Sequence, residues 1–401
     1  MAEIARRKFM AASAAVAAGA IASIPIVRWG DLRRVAEETP YQQGAGILVI
    51  VTMYGGNDGI NTVIPYSDNA YHDARPDLAY AADEVLHIDE RYGFNPGMPG
   101  MADTFNRGRL AIIRGVGYPN PDRSHFRSMD IWQSASLDNT VRSGWIGRWL
   151  DANGRDPVSA LHMGPVVPPL AAGEKCSAAA FITKPTLARG ATELITALCR
   201  SDPADRPAMT AVCDSYRAAA RTNHELAPVV AQPGGVRLDV DDDGLASQLD
   251  AVAVCIAAGV PARVYSVATG GFDTHADERD TQQELLSAVD SALTRFLGQI
   301  STSGHHDDVV VMAYSEFGRR VAANSSDGTD HGTSGPVFVI GERVKGGYYG
   351  DDPALDDLVD GDLKVTTDFR HVYHELLAEG LHSDPEPVVG RGGSGLGFLT
   401  G

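Results

Sequence analysis

The alternation of apolar runs with helical patterns predicts an α/β protein built on a mainly parallel sheet. Three observations carry this expectation. Five short runs of aliphatic and β-branched residues are spread along the chain, stretches of helical period lie between them, and polar loops follow four of the runs. With 401 residues, 44% of them apolar and 21% charged, the chain can bury a sizeable core around one sheet. That composition excludes a disordered tail, a collagen-like fibre and a disulfide mini-scaffold.

The first run, Gly46 to Met53 (GILVIVTM), lacks the polar alternation of a half-exposed strand and reads as a strand buried on both faces. Arg109 to Val116, Ala262 to Val267, Asp308 to Ala313 and Pro336 to Ile340 are of the same kind. Leu245 to Ala258 and Asp280 to Gln299 have helical period, and a last helix is expected over Asp368 to Ala378. The stretch from about 151 to 243 is rich in Pro, Ala and Gly and reads as an insertion or cap on a single domain spanning 31–401.

Residues 1–30 read as an address rather than as part of the fold. Arg6-Arg7-Lys8-Phe9-Met10 precedes an uncharged, Ala-rich run to Val27, the layout of a twin-arginine export signal, with cleavage expected near Ala22. The alternative is an N-terminal membrane anchor, although the run is only weakly hydrophobic. The expected location is therefore periplasmic, cell-surface or extracellular, with the twin-arginine machinery as a partner and the membrane met only during export.

Lys and Arg number 34 against 52 Asp and Glu, a formal charge of −18 that repels a phosphate backbone, so no nucleic-acid partner is expected. Cys176, Cys199, Cys213 and Cys255 have no zinc-ribbon or cluster spacing, which leaves disulfides or buried free thiols. There is no G-x-S-x-G elbow, no phosphate-binding G-x-x-x-x-G-K loop and no H-E-x-x-H helix. Asp239, Asp241, Asp243, Gly244 and Asp250 mimic a calcium loop, but without its final Glu or its incoming helix they read as an acidic linker. His305 and His306 read as a polar turn before a strand.

In open α/β sheets ligands sit beyond the carboxyl ends of strands, and chemistry-bearing residues accumulate at those places here. After the first run come Asn57 and Asp58. After the second come Arg123, Ser124, His125 and Arg127, a hydroxyl and an imidazole with two guanidiniums at a helix start suited to an oxyanion. After the third come Asp273 and His275, which can converge on one metal if the backbone is extended. After the fourth come Glu316 and Arg319, then Asp330 and His331. This convergence behind four strands predicts a metal-centred site.

Several segments together resemble one family: LVIVTMYGGNDGINTVIP (48–65), RSHFRSMDIW (123–132), SGWIGR (143–148), SEFGRR (315–320), TDHG (329–332), KGGYYG (345–350) and TTDFR (366–370). They are similar to the exported "domain of unknown function 1501" family, itself distantly similar to the alkaline phosphatase superfamily of phosphatases, sulfatases, phosphodiesterases and phosphoglycerate mutases. The resemblance implies an alkaline-phosphatase-like three-layer α/β/α sandwich and a metal-dependent hydrolase of phosphate, less readily sulfate, esters on small molecules or polysaccharides. It implies Ser124 as nucleophile and one or two divalent ions on Asp58, Asp273, His275, Glu316 and His331, with Asp330 as an extra ligand. Zinc or manganese suits that set best, with calcium or magnesium as the alternative. Arg123, His125 and Arg127 would bind oxyanion oxygens or protonate the leaving group, and Asn57 and Arg319 would touch substrate. This chain departs from the superfamily pattern in the single residue between Asp273 and His275 and in Phe317, which stands where a ligand His is usual. That last departure supports a second expectation, a non-catalytic envelope or cell-surface binding protein that keeps the fold.

Overall fold

A computed structural model describes residues 26–181, 244–391 and 393–400. Residues 1–25, Cys199, Cys213 and the aspartates Asp239, Asp241 and Asp243 lie outside the described residues, whereas residues 26–30, read from sequence as the end of the address, belong to the fold: Ile26–Val27 pairs with Ala180–Phe181 in the main sheet and a helix starts at Trp29. In chain order the first half holds β1 (Ile26–Val27), α1 (Trp29–Glu38), β2 (Ile47–Met53), β3 (Val63–Ile64), α2 (Asn69–Ala74), β4 (Leu86–His87), β5 (Gly93–Phe94), α3 (Pro99–Asn106) and β6 (Leu110–Gly117). Then come α4 (His125–Ser134), α5 (Trp145–Ala152), β7 (Ala160–Met163) and β8 (Ala179–Phe181). The second half holds α6 (Leu245–Ala257), β9 (Val264–Thr269), α7 (Glu278–Ile300), β10 (Val309–Tyr314), β11 (Gly335–Gly341), β12 (Gly347–Tyr349), β13 (Thr367–Asp368), α8 (Phe369–Glu375) and α9 (Glu386–Val389).

Among the described residues the main sheet runs β1-β8-β7-β9-β2-β10-β11-β6-β12, with β13 also pairing with β6. All its pairings are parallel except those of β11, which runs antiparallel to both neighbours. A small antiparallel sheet, β3-β5-β4, stands apart. The five runs read from sequence became β2, β6, β9, β10 and β11, and the three helical patterns became α6, α7 and α8.

Strand β2 sits at the centre, and all seven of its residues are buried. Its side chains alternate faces: Ile47, Val49 and Val51 join one apolar cluster with α1, α3, α6 and α7, whereas Leu48 and Ile50 join a second with α4, α5 and α8. Helices thus cover both faces of a mainly parallel sheet, which is the three-layer α/β/α arrangement expected. The stretch expected as a cap from 151 onwards differs in its described part, because β7 and β8 extend the main sheet there. Their short, Ala-rich sequences carry little β-propensity, and the sheet supplies what the residues do not.

Cys176 and Cys255 are buried free thiols. Asp308, in the His305-His306 turn, is buried and accepts hydrogen bonds from the Tyr41 hydroxyl (3.1 Å) and Gly44 N–H (2.8 Å), so that turn is a structural tie. Among the described residues no helix is long and apolar enough to cross a membrane.

Candidate metal centre

The loops after β2, β9 and β10 meet because their backbones come very close. Gly55 has φ +121°, and a Cβ on it would lie 2.5 Å from the Asp273 nitrogen; Gly56 has φ +72° and would run into the Phe317 ring. Only glycine allows both the dihedral and the approach. The contact lets Gly55 N–H donate to Glu316 (2.9 Å), which ties the β2 loop to the β10 loop.

Asp273 stands at the focus. Its Oδ1 lies 3.0 Å from His275 Nε2, 3.0 Å from His331 Nε2 and 3.5 Å from His125 Nε2. The Nε2 atoms of His275 and His331 are 3.0 Å apart. One ligand atom from each of His125, Asp273 and His331 falls within a span of 4.8 Å, a spacing that suits one metal ion. Asp330 is more distant, 3.4 Å from His275 Nδ1 on the exposed rim.

The imidazoles are aimed from behind. His125 Nδ1 lies 2.8 Å from Glu316 Oε1, a carboxylate only 1% exposed, and His331 Nδ1 lies 2.8 Å from the Arg123 carbonyl. Each bond turns the opposite nitrogen, Nε2, toward Asp273, as carboxylate and carbonyl partners do for metal-bound histidines. His125 Nε2 is buried and finds no hydrogen-bond partner. An orphaned polar atom of this kind costs about 1–3 kcal/mol, and a cation beside it would relieve that cost. Two imidazole nitrogens and a carboxylate oxygen fit zinc or manganese.

Asp273 is charged in this setting. Partial burial works to raise its pKa, but hydrogen bonds from Arg319 and His331 and the charges of Arg319 and His275 outweigh it and hold the carboxyl at about 2. The carboxylate is thus anionic at neutral pH and open to a cation.

Five expected site residues are placed in other work. Asp58 is fully buried, ion-paired to Arg75 and bonded to the Ile60 N–H (3.2 Å), so it is not a member of the metal group; Arg75 was not singled out from sequence. Arg319 is wholly buried rather than presented to substrate. It donates to the carbonyls of Gly55 (2.5 Å), Gly56 (2.7 Å), Phe272 (2.8 Å) and Thr329 (3.0 Å) and to Asp273 (2.7 Å), tying three loops together. Asn57 is buried against Thr62 (2.9 Å) and likewise faces no substrate. Arg123 pairs with the buried carboxylate of Asp362, and Arg127 is taken by Asp130 (2.5 Å) and the Leu137 carbonyl (2.7 Å), so neither guanidinium is a free oxyanion binder.

Glu316 orients His125 instead of facing an ion, and Phe317 fills the space beside it, its ring centroid 4.8 Å from that of His125 and 5.0 Å from that of His331. Ser124 is exposed at the N-cap of α4, directly before His125, and its side chain makes no capping bond. The hydroxyl is therefore not consumed by the helix end, the role most serines there perform.

Comparison with known proteins adds the following. No curated protein matches the chain. Among solved structures the fold is similar to a protein in the alkaline phosphatase superfamily from Vibrio parahaemolyticus, at 12% identity and a TM-score of 0.39, covering 88% of this chain and 71% of that one. It is also similar to the lipoteichoic acid synthase LtaP from Listeria monocytogenes, at 9% identity and a TM-score of 0.37, covering 83% and 80%. A 2-O GAG sulfatase is similar at 9% identity and a TM-score of 0.33, covering 75% and 65%. Residues 241–382, the stretch that carries Asp273, His275, Glu316 and His331, match the profile of the family described as "Protein of unknown function (DUF1501)".

Proposed function

We propose that this protein is a metal-dependent hydrolase of phosphate, less readily sulfate, esters that acts after export. The observation that carries the reading is the convergence of His125, Asp273 and His331, with two of the three held by a partner on the far side. Nothing else explains the buried, partnerless His125 Nε2 so directly. A divalent ion held there would supply positive charge where an ester oxygen becomes anionic.

Ser124 is the nucleophile in this reading. It is exposed, adjacent to His125, and stands where the N–H groups of the first turn of α4 favour an anion. Its oxygen forms a bond to phosphorus as the ester P–O bond breaks, and its proton leaves with the alcohol. Water then displaces Ser124 and releases the phosphate. His125, His331 and Asp273 hold the charge centre in place, while Glu316, the Arg123 carbonyl and Arg319 respectively keep those three aligned. Export rests on Arg6-Arg7 and the apolar run behind them.

The test is turnover of a phosphoester and sulfate-ester panel by the zinc- or manganese-loaded protein beside Ser124→Ala. Turnover that falls by at least about 100-fold in the variant is expected for a lost nucleophile; equal turnover would remove Ser124 from the reaction. The pairing of Arg123 and Arg127 with Asp362 and Asp130 favours a second reading, a binding protein with a structural metal. Metal without turnover on any member of the panel would select it.

A further inference from the structure

Beside the metal group lies a second cluster of acids with no imidazole in it. Asp58 follows β2, Glu278 opens α7, and both are 0% exposed. Between them stands Arg75, at the C-terminal end of α2 and equally buried. Four of its five N–H groups have partners: Nη1 and Nη2 pair with Asp58, the latter at 3.0 Å, Nε donates to the Val321 carbonyl at 2.8 Å, and Nη2 to the Arg320 carbonyl at 2.8 Å.

We infer that Arg75 is a tethered cation occupying the place of a second metal ion, so that the chain carries a single ion, on the His125, Asp273 and His331 side. This rests on the metal-centre reading above and fixes the number of ions that reading leaves open. Charge balance supports it. Burial and the neighbouring Asp58 push the Glu278 carboxyl up to about 9, so it keeps its proton at neutral pH, while Asp58 is held anionic by Arg75 despite its own burial. One guanidinium, one carboxylate and one neutral acid make a neutral buried trio. A divalent ion in the same place would instead call for both carboxylates ionised.

Atom-level bonding agrees. Glu278 Oε2 accepts from the Thr329 hydroxyl at 2.5 Å, whereas Oε1 is buried without a partner unless it carries a proton to share with Asp58. Removing the guanidinium would leave two carboxyl groups and a threonine hydroxyl, a hard-oxygen set able to take a divalent ion.

The test compares metal content after incubation with zinc or manganese in four proteins: wild type, His331→Ala, Arg75→Ala and the double variant Asp58→Asn/Arg75→Met. The double variant removes both charges of the buried pair at once, which proteins tolerate better than removal of one. It should hold as much metal as wild type. Arg75→Ala should hold one equivalent more than wild type, and its thermal midpoint should rise further on adding metal.

A double variant that loses an equivalent, or a folded Arg75→Ala that binds no more than wild type, overturns the inference. If Arg75→Ala does not fold, the double variant alone decides. Failure of the metal-centre reading shows separately, as wild type and His331→Ala binding equally little, and the gain in Arg75→Ala then still decides the role of Arg75.

Discussion

Asp273 and Asp58 both follow a strand of the main sheet, β9 and β2, that ends at the same edge, yet their surroundings are opposite. The Asp273 side chain is 48% exposed among three imidazoles, and the Asp58 side chain is 0% exposed beneath a guanidinium. The two regions are joined: Arg319 bonds to Asp273 and to the Thr329 carbonyl, and the Thr329 hydroxyl bonds to Glu278. A strand-end carboxylate therefore does not by itself make a metal ligand. What decides is whether the chain brings its own cation to that carboxylate or leaves it facing nitrogen donors and solvent.

The comparison breaks most severely if Arg319 is removed, because that residue serves both regions. Arg319→Met leaves Asp273 and four buried carbonyls without their donor, and a loss of about 3–5 kcal/mol of stability is expected from denaturant unfolding. A variant as stable as wild type would contradict the tie between the loops. Asp273→Ala acts on the open region alone: bound zinc or manganese should fall to background with the far-ultraviolet spectrum unchanged. Retention of metal would place the ion elsewhere.

Glu316→Gln is expected to do less. Gln keeps the size but weakens the bond that aims His125, and losses of metal affinity of about 10–100-fold are usual for partners of this type. Isothermal titration with zinc would read it, and unchanged affinity would reduce Glu316 to a loop tie.

A last effect sharpens the sealed region and depends on pH. Glu278 has its pKa raised from an ordinary 4.5 to about 9, so its contribution is fully present below pH 4.5 and is lost as the pH climbs through the folded value. Glu278→Gln does not titrate and keeps a donor for Asp58. Its thermal midpoint should therefore gain on that of wild type steadily between about pH 5 and pH 9. A constant gap across that range would show that Glu278 is not protonated in the folded protein.

The sheet was legible because its central strands are buried on both faces and must be apolar throughout, as β2 and β10 show. Asp273, His275 and His331 were legible because turns after such strands have few reasons to collect imidazoles. Arg75 was not, since it comes from a six-residue helix outside any periodic pattern and acts on a residue 17 positions away. Glu278 lies just before the helix read from sequence over Asp280 to Gln299, and its place beside Asp58 and Thr329 comes from tertiary contacts. Ser124 was legible as a residue type at a helix start, but its missing cap bond is a property of the folded backbone. Arg123 and Arg127 misled because a guanidinium's partner, here Asp362 or Asp130, leaves no trace in local spacing.

The central claim is that one ion sits among His125, Asp273 and His331 and none beside Asp58. Anomalous diffraction at the zinc edge from crystals grown with zinc tests it directly. The account predicts a single peak about 2.0–2.1 Å from the Nε2 atoms of His125 and His331, with the Arg75 guanidinium still on Asp58. A peak between Asp58 and Glu278, or no peak among the histidines, would contradict it.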